Sequence, residues 1–169
     1  MTFDVFVSAL AQGRLEADVA RIGPTHVLSL LDPERDAPAV AAKHRVVRFR
    51  DTLVEGVYGS FGEAELSSVL GFIEEAIAAS RTNAVRLVVH CHHGQSRSPA
   101  AAFIALALAL GWGREHEAFE HVVARTVRPW PNRLMIELAD RVLGRGGAFV
   151  RELDAFQTRF EPPSAAREI

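Results

Sequence analysis

The stretch His90-Cys91-His92-His93-Gly94-Gln95-Ser96-Arg97-Ser98 decides how this chain is read. An apolar run, Val85-Arg86-Leu87-Val88-Val89, precedes it and has the character of a buried strand. An Ala/Leu-rich segment, Pro99 to Leu110, follows and has the character of a buried helix. The nine residues therefore form a strand-to-helix loop. The first amides of a helix lack intrahelical partners and sit at the positive end of its dipole, so such a loop suits an anion. Gly94 permits a positive φ and lets successive N–H groups turn inward, as in the concave nests that hold phosphates. Arg97 adds a planar fork of donors matched to two phosphate oxygens. Cys91 stands at the loop entrance, facing the centre of such a cradle.

These surroundings favour a thiolate. A free thiol titrates near ~8.5 and falls to roughly 3.5–7.5 at helix N-termini or beside cations. A drop of about three units needs about 4 kcal/mol, of which a helix dipole supplies about 0.3–2 kcal/mol. The ring of amides, Arg97 and the hydroxyl of Ser98 are left to supply the remainder. An ionised sulfur facing a phosphoryl group is a nucleophile in place. A zinc site is the other reading of His90, Cys91, His92 and His93. Consecutive residues leaving a strand point in alternating directions, and there is no second Cys, so these four do not close on one tetrahedral ion. The expectation is no metal and no cofactor.

The pattern H-C-x-x-G-x-x-R-S at 90–98 resembles the phosphate-binding loop of the cysteine-dependent protein tyrosine phosphatases, and within them the small dual-specificity branch. Gly23 through Leu31 resembles a strand of the same branch. Arg128-Pro129-Trp130-Pro131-Asn132, with Met135, resembles its R-P-x-x-P-N-x-x-F segment, whose Asn braces the phosphate loop. Asn132 also suits a helix N-cap, and the two roles are compatible. Leu138 departs from the Gln common in the branch, and His92 and His93 depart from its usual loop residues, which leaves specificity open. The likeness covers about Gly23 to Leu143.

The remainder of the chain agrees with a soluble enzyme. Its 169 residues suit one domain, and 49% hydrophobic with 24% charged residues is ordinary for a globular fold. A net charge of −2 draws neither nucleic acid nor an anionic membrane. The single Cys excludes an internal disulfide and fits a reducing, cytoplasmic compartment. Met1-Thr2-Phe3-Asp4 does not have the pattern of a signal peptide. The apolar run from Pro99 to Trp112 is too short to span a bilayer.

Strands are expected at Phe3–Val7, Thr25–Leu31, His44–Arg50 and Val85–His90. Helices are expected at Arg14–Ile22, Glu63–Ser80, Pro99–Leu110, Arg114–Thr126, Asn132–Leu143 and Phe149–Phe160. The charges of the turn Asp32–Pro38, and the near-zincin run His116, Glu117, Glu120, His121, read as solvated surface. Strands alternating with helices predict an α/β fold: one domain over 1–160, a central mostly parallel sheet of four to five strands flanked by helices, and a flexible tail over 161–169. The resemblance implies the phosphotyrosine protein phosphatase II-like fold.

A departing ester oxygen needs a proton, and a carboxylic acid supplies it. The dual-specificity branch carries this Asp after a strand, some thirty to forty residues before the Cys. Asp51 precedes Cys91 by 40 residues in such a setting, with Glu55 the alternative and Asp32 less suited. The resemblance thus implies a phosphomonoester hydrolase of a monomeric, metal-free kind. Cys91 is its nucleophile, Arg97 and the amides of His92, His93, Gly94, Gln95 and Ser96 hold phosphate, Asp51 is the acid, Ser98 eases departure of the thiolate, and His90 and Asn132 support the site. The expected substrate is phosphotyrosine, and also phosphoserine or phosphothreonine, in a protein or a small phosphomonoester. The alternatives are a phosphatase for phosphoinositides or nucleotides, a rhodanese-like sulfurtransferase, and an inactive phosphate-binding module.

Overall fold

A computed structural model describes residues 2–162. In chain order the elements are β1 (Phe3–Ala9), α1 (Arg14–Ile22), β2 (His26–Leu31), β3 (Lys43–Arg48), α2 (Glu63–Ala79) and β4 (Val85–Cys91), followed by α3 (Arg97–Leu110), α4 (Glu115–Ala124), α5 (Arg133–Val142) and α6 (Ala148–Gln157). The strands form one sheet in the order β1-β4-β2-β3, with every pairing parallel. The expected α/β class, the parallel sheet and the six helices are present. The expected tail lies, beyond Pro162, outside the described residues.

Sheet position explains the hydrophobic pattern. β2 and β4 have neighbours on both sides, and parallel strands covered on both faces need apolar residues at successive positions. All six residues of β2 are buried, as are all of β4 except Arg86. β3 is an edge strand, and its exposure alternates, with Lys43, Arg45 and Arg48 in water. Charges along an edge oppose pairing with a second chain. The β2–β3 crossover carries no helix; the irregular segment 32–42 makes the connection.

α3 is the central helix. Arg97 through Ala107 are all buried, and the small side chains of Ala100, Ala101, Ala102 and Ala105 let its backbone approach its neighbours closely. Phe103 projects from it into an aromatic cluster with Phe119 of α4 and Phe149 of α6, at centroid distances of 5.0 and 4.8 Å. The loop 92–96 is thus suspended between an inner strand and the most buried helix. Because all strands are parallel, their carboxyl ends lie at one edge of the sheet, where open α/β folds bind ligands. Asp32 follows β2, Asp51 follows β3 and Cys91 ends β4 at that edge.

Candidate active site

Cys91 is the last residue of β4 and is buried, yet its sulfur faces the loop. The Gly94 amide donates to Cys91 Sγ at 3.2 Å, and Ser98 Oγ lies 3.2 Å from the same sulfur. Backbone bonds hold the loop from outside: Leu10 N donates to Cys91 O and Ala11 N to His92 O, both at 3.0 Å. Trp130 N donates to Gln95 O at 2.7 Å and Asn132 N to Ser96 O at 3.0 Å. Ser96 stands at the N-cap of α3 but does not cap it, so no side chain competes for the first-turn amides.

Gly94 is required sterically. Its φ is +72°, and a Cβ there would stand 2.8 Å from Ser8 O and 3.2 Å from Ala9 Cβ. Gly94→Ala therefore combines a left-handed side chain with a backbone clash. The expected cost is about 2–4 kcal/mol, read as a lower urea midpoint, together with loss of anion binding. A variant as stable as the parent would contradict this loop geometry.

Arg97 is 4% exposed. Its Nη1 donates to Asp32 Oδ1 at 3.0 Å and to the Phe49 carbonyl at 2.9 Å, and the guanidinium lies 5.7 Å from the Phe49 ring. These contacts fix the fork. Its Nε is buried without a hydrogen-bond partner, 3.7 Å from Asp51 Oδ2. Asp51 is fixed as well: its Oδ1 accepts from Ser96 Oγ at 2.7 Å and from Asn132 Nδ2 at 2.8 Å. Asn132 also donates to Thr52 O at 3.2 Å and accepts from Met135 N at 3.0 Å, capping α5. The one side chain thus ends a helix, steadies the Asp51 segment and, through its backbone, holds the loop.

His90 lies behind the sulfur in the sheet, fully buried. Its Nε2 is 2.5 Å from Ser29 Oγ, which is 2.7 Å from His44 Nε2. Burial pushes His90 down to about 4, and it also lowers His44 and His26 from the ordinary histidine value. The folded chain keeps His90 neutral while an unfolded chain protonates it below about 6.5. As pH falls the unfolded state binds more protons, so stability declines from about pH 6.5 towards pH 4, by about 3 kcal/mol for His90 alone. Urea midpoints at pH 7 and pH 4.5 read this loss, and His90→Asn should flatten the profile. An equally steep profile in that variant would assign the loss elsewhere.

The structure gathers Cys91, Gly94, Ser96, Arg97, Ser98, Asp51 and Asn132 into one site. One reading is corrected. Asp32 is not simply solvated surface, because it orients buried Arg97; a carboxylate at the end of an inner strand was the available signal. Burial, and secondarily Arg35, lower the pKa of His92 from the ordinary histidine value. Its ring meets that of His93 edge-on, centroids 4.3 Å apart. Glu55 is paired with Arg141 at 2.7 Å. In the near-zincin run, His116 pairs with Glu152. Sequence reasoning missed the Phe49 carbonyl, the brace from Leu10 and Ala11, and Ser29, a polar residue within an apolar strand.

The single α/β domain with its parallel four-stranded sheet and six helices has the fold of the dual-specificity phosphatases. Human DUSP28 superposes with a TM-score of 0.59 at 19% identity, over 92% of this chain and 95% of that one. The human tyrosine phosphatase-like serine/threonine/tyrosine-interacting protein gives 0.62 at 17%, over 84% and 92%. PTPMT1, solved in complex with PI(5)P, gives 0.58 at 17%, over 90% and 93%. No protein-family model and no curated protein matches the chain. At such identities the likeness is one of fold, and function must be argued from the site.

Proposed function

We propose that this protein hydrolyses phosphomonoesters through a cysteinyl-phosphate on Cys91, with phosphotyrosine in proteins as the preferred substrate and phosphoserine and phosphothreonine as further ones. The observation that carries the reading is a pairing. The Cys91 sulfur accepts an amide N–H from its own loop, and the buried guanidinium of Arg97 keeps a donor without an acceptor in that same loop. A tetrahedral dianion seated against the sulfur supplies the acceptor that this Arg97 donor lacks.

In the first step the Cys91 thiolate attacks phosphorus, and the bond from phosphorus to the ester oxygen breaks. Arg97 and the loop amides hold the equatorial oxygens, so catalysis rests on positioning and charge stabilisation. Asp51 protonates the departing oxygen. Its Oδ1 already accepts two bonds, so the proton sits on Oδ2. In the second step water attacks the cysteinyl-phosphate and gives a proton to Asp51. The S–P bond breaks, Ser98 donates to the leaving thiolate, and inorganic phosphate departs. A panel of phosphopeptides, phosphoinositides, nucleotides and thiosulfate with cyanide tests the reading. Release of phosphate, fastest from phosphotyrosyl peptides, is expected. Turnover of thiosulfate without phosphate release would make Cys91 a sulfur carrier.

A further inference from the structure

A row of polar side chains crosses the sheet one residue behind the sulfur. Ser8 of β1, His90 of β4 and Ser29 of β2 are lateral neighbours in register, and all three are fully buried. His44 of β3, half-buried at the sheet's edge, meets Ser29 from the outer side. Inner strands of a covered parallel sheet are otherwise apolar, and buried polar groups need partners.

The hydrogen bonds of this row run one way. A hydroxyl has one proton to give and lone pairs with which to accept. Ser29 Oγ lies between two ring nitrogens, 2.5 Å from His90 Nε2 and 2.7 Å from His44 Nε2, so it donates to one and accepts from the other. On the far side of His90, Ser8 gives its proton to Asp18 Oδ2 at 2.7 Å and has none left for a ring nitrogen. His90 Nδ1 is buried with no donor aimed at it, and the backbone of Cys91 favours a proton on the ring. Nδ1 therefore carries the ring proton of His90, and Nε2 is bare. Ser29 donates to that Nε2 and accepts from His44.

The charges around the row are engaged elsewhere. Lys43 and Arg45 flank His44 on the opposite face of β3, where they meet Glu75 and Ser68 of α2. Asp18 of α1 also takes Arg14 and Arg21, and Arg48 donates to the carbonyls of Asp32 and Arg35. Among the described residues, His44 is the one titratable side chain whose charge bears on His90.

We propose that Ser29, held in its donor role by His44, is a positioning residue for the Cys91 sulfur: it keeps His90 as the tautomer whose N–H, rather than a bare lone pair, faces the backbone of Cys91. The positive end of that N–H dipole favours a thiolate, and the reversed order opposes one. The proposal deepens the phosphatase reading, on which its bearing on turnover rests, but its test needs no turnover.

Cys91 is the chain's only cysteine, so iodoacetamide reports a single thiol. Its alkylation rate is followed against pH in the parent, Ser29→Ala, His44→Gln and His44→Glu. Ser29→Ala should slow alkylation at about pH 6 roughly fivefold, the worth of one ordinary hydrogen bond. At about pH 9.5, above the ordinary thiol range, it should match the parent. Gln can donate from its amide and should keep most of the parent's rate. Glu, an acceptor only when ionised, takes the Ser29 proton, reverses the row and should slow alkylation as far as Ser29→Ala does. Placed in the Ser29→Ala background, the Gln and Glu variants should react alike, because the row no longer conveys their difference. Superposed profiles of the parent and Ser29→Ala would overturn the proposal. So would a slowing of equal size at every pH, which is a misshapen loop, or a Gln–Glu difference that survives in Ser29→Ala, which is the carboxylate acting through space. Should His44→Glu fail to fold, Ser29→Ala decides alone. The kcat/KM for an aryl phosphate should follow the alkylation rates. A parent that hydrolyses nothing yet gives these profiles keeps the row and loses only the phosphatase reading.

Discussion

Replacing Cys91 with Ser is expected to lower hydrolysis of an aryl phosphate by a factor on the order of 10⁴–10⁶, the scale seen when a catalytic nucleophile is removed. The substitution changes little else. An oxygen at this position still accepts from the Gly94 amide and still meets Ser98, while Arg97 keeps its anchors on Asp32 and Phe49. The cradle should therefore survive. Phosphate, vanadate or tungstate should bind at least as tightly as before, because repulsion between thiolate and oxyanion is gone. Calorimetry with those anions and initial rates on the same preparation check both halves. Loss of turnover with loss of anion binding would mean that the loop had collapsed, and retained turnover would assign another nucleophile.

Asp51→Ala should produce the second largest effect, and one that depends on the leaving group. General acid catalysis contributes about 10²–10⁴-fold, and an ester with a poor leaving group needs all of it. Alkyl phosphates should lose that factor, while an activated aryl phosphate, which departs without a proton, should lose much less. The alanine also removes the acceptor for Ser96 and Asn132, so a second variant separates the roles. Asp51→Asn keeps an oxygen for those two donors but has no acidic proton to give. If Asn reproduces the selective loss on alkyl esters, Asp51 is the acid. If Asn restores activity and Ala reduces both esters alike, Asp51 only braces the loop.

Much of this arrangement was legible in the sequence because the informative signals were local. The apolar run before Cys91 and the Ala/Leu segment after Ser98 announce an inner strand and a central helix with a loop at their junction; that loop is shorter than the nine residues expected, because His90 and Cys91 complete β4 and Arg97 and Ser98 open α3. Asp51 was read from its place after a strand together with the spacing to Cys91 that the resemblance implies. Asp32 was not, although it occupies the equivalent place after β2. Pairing with Arg97 depends on which strands are neighbours, and periodicity does not carry sheet order. Ser29 and His44 escaped for the same reason: β2 lies beside both β3 and β4, so one hydroxyl reaches two histidines far apart in the chain. Asn132 announced a helix cap through its type, but its hold on Asp51 required knowing that the start of α5 lies against the segment after β3. The exposure of Tyr58, the chain's only tyrosine, and the burial of Phe61 are set by the loop's hydrogen bonds rather than by residue type.

The most direct test traps the covalent intermediate. An aryl phosphate labelled in its phosphoryl group is mixed with the protein, quenched in acid within the first turnover, and the digest is sequenced by mass spectrometry. The account predicts one phosphoryl group on the peptide that carries Cys91, attached to its sulfur, accumulating further when Asp51 is replaced by Ala and absent when Cys91 is replaced by Ser. Label on His92 or His93, or phosphate release at the full rate with no labelled peptide at any time, would contradict it.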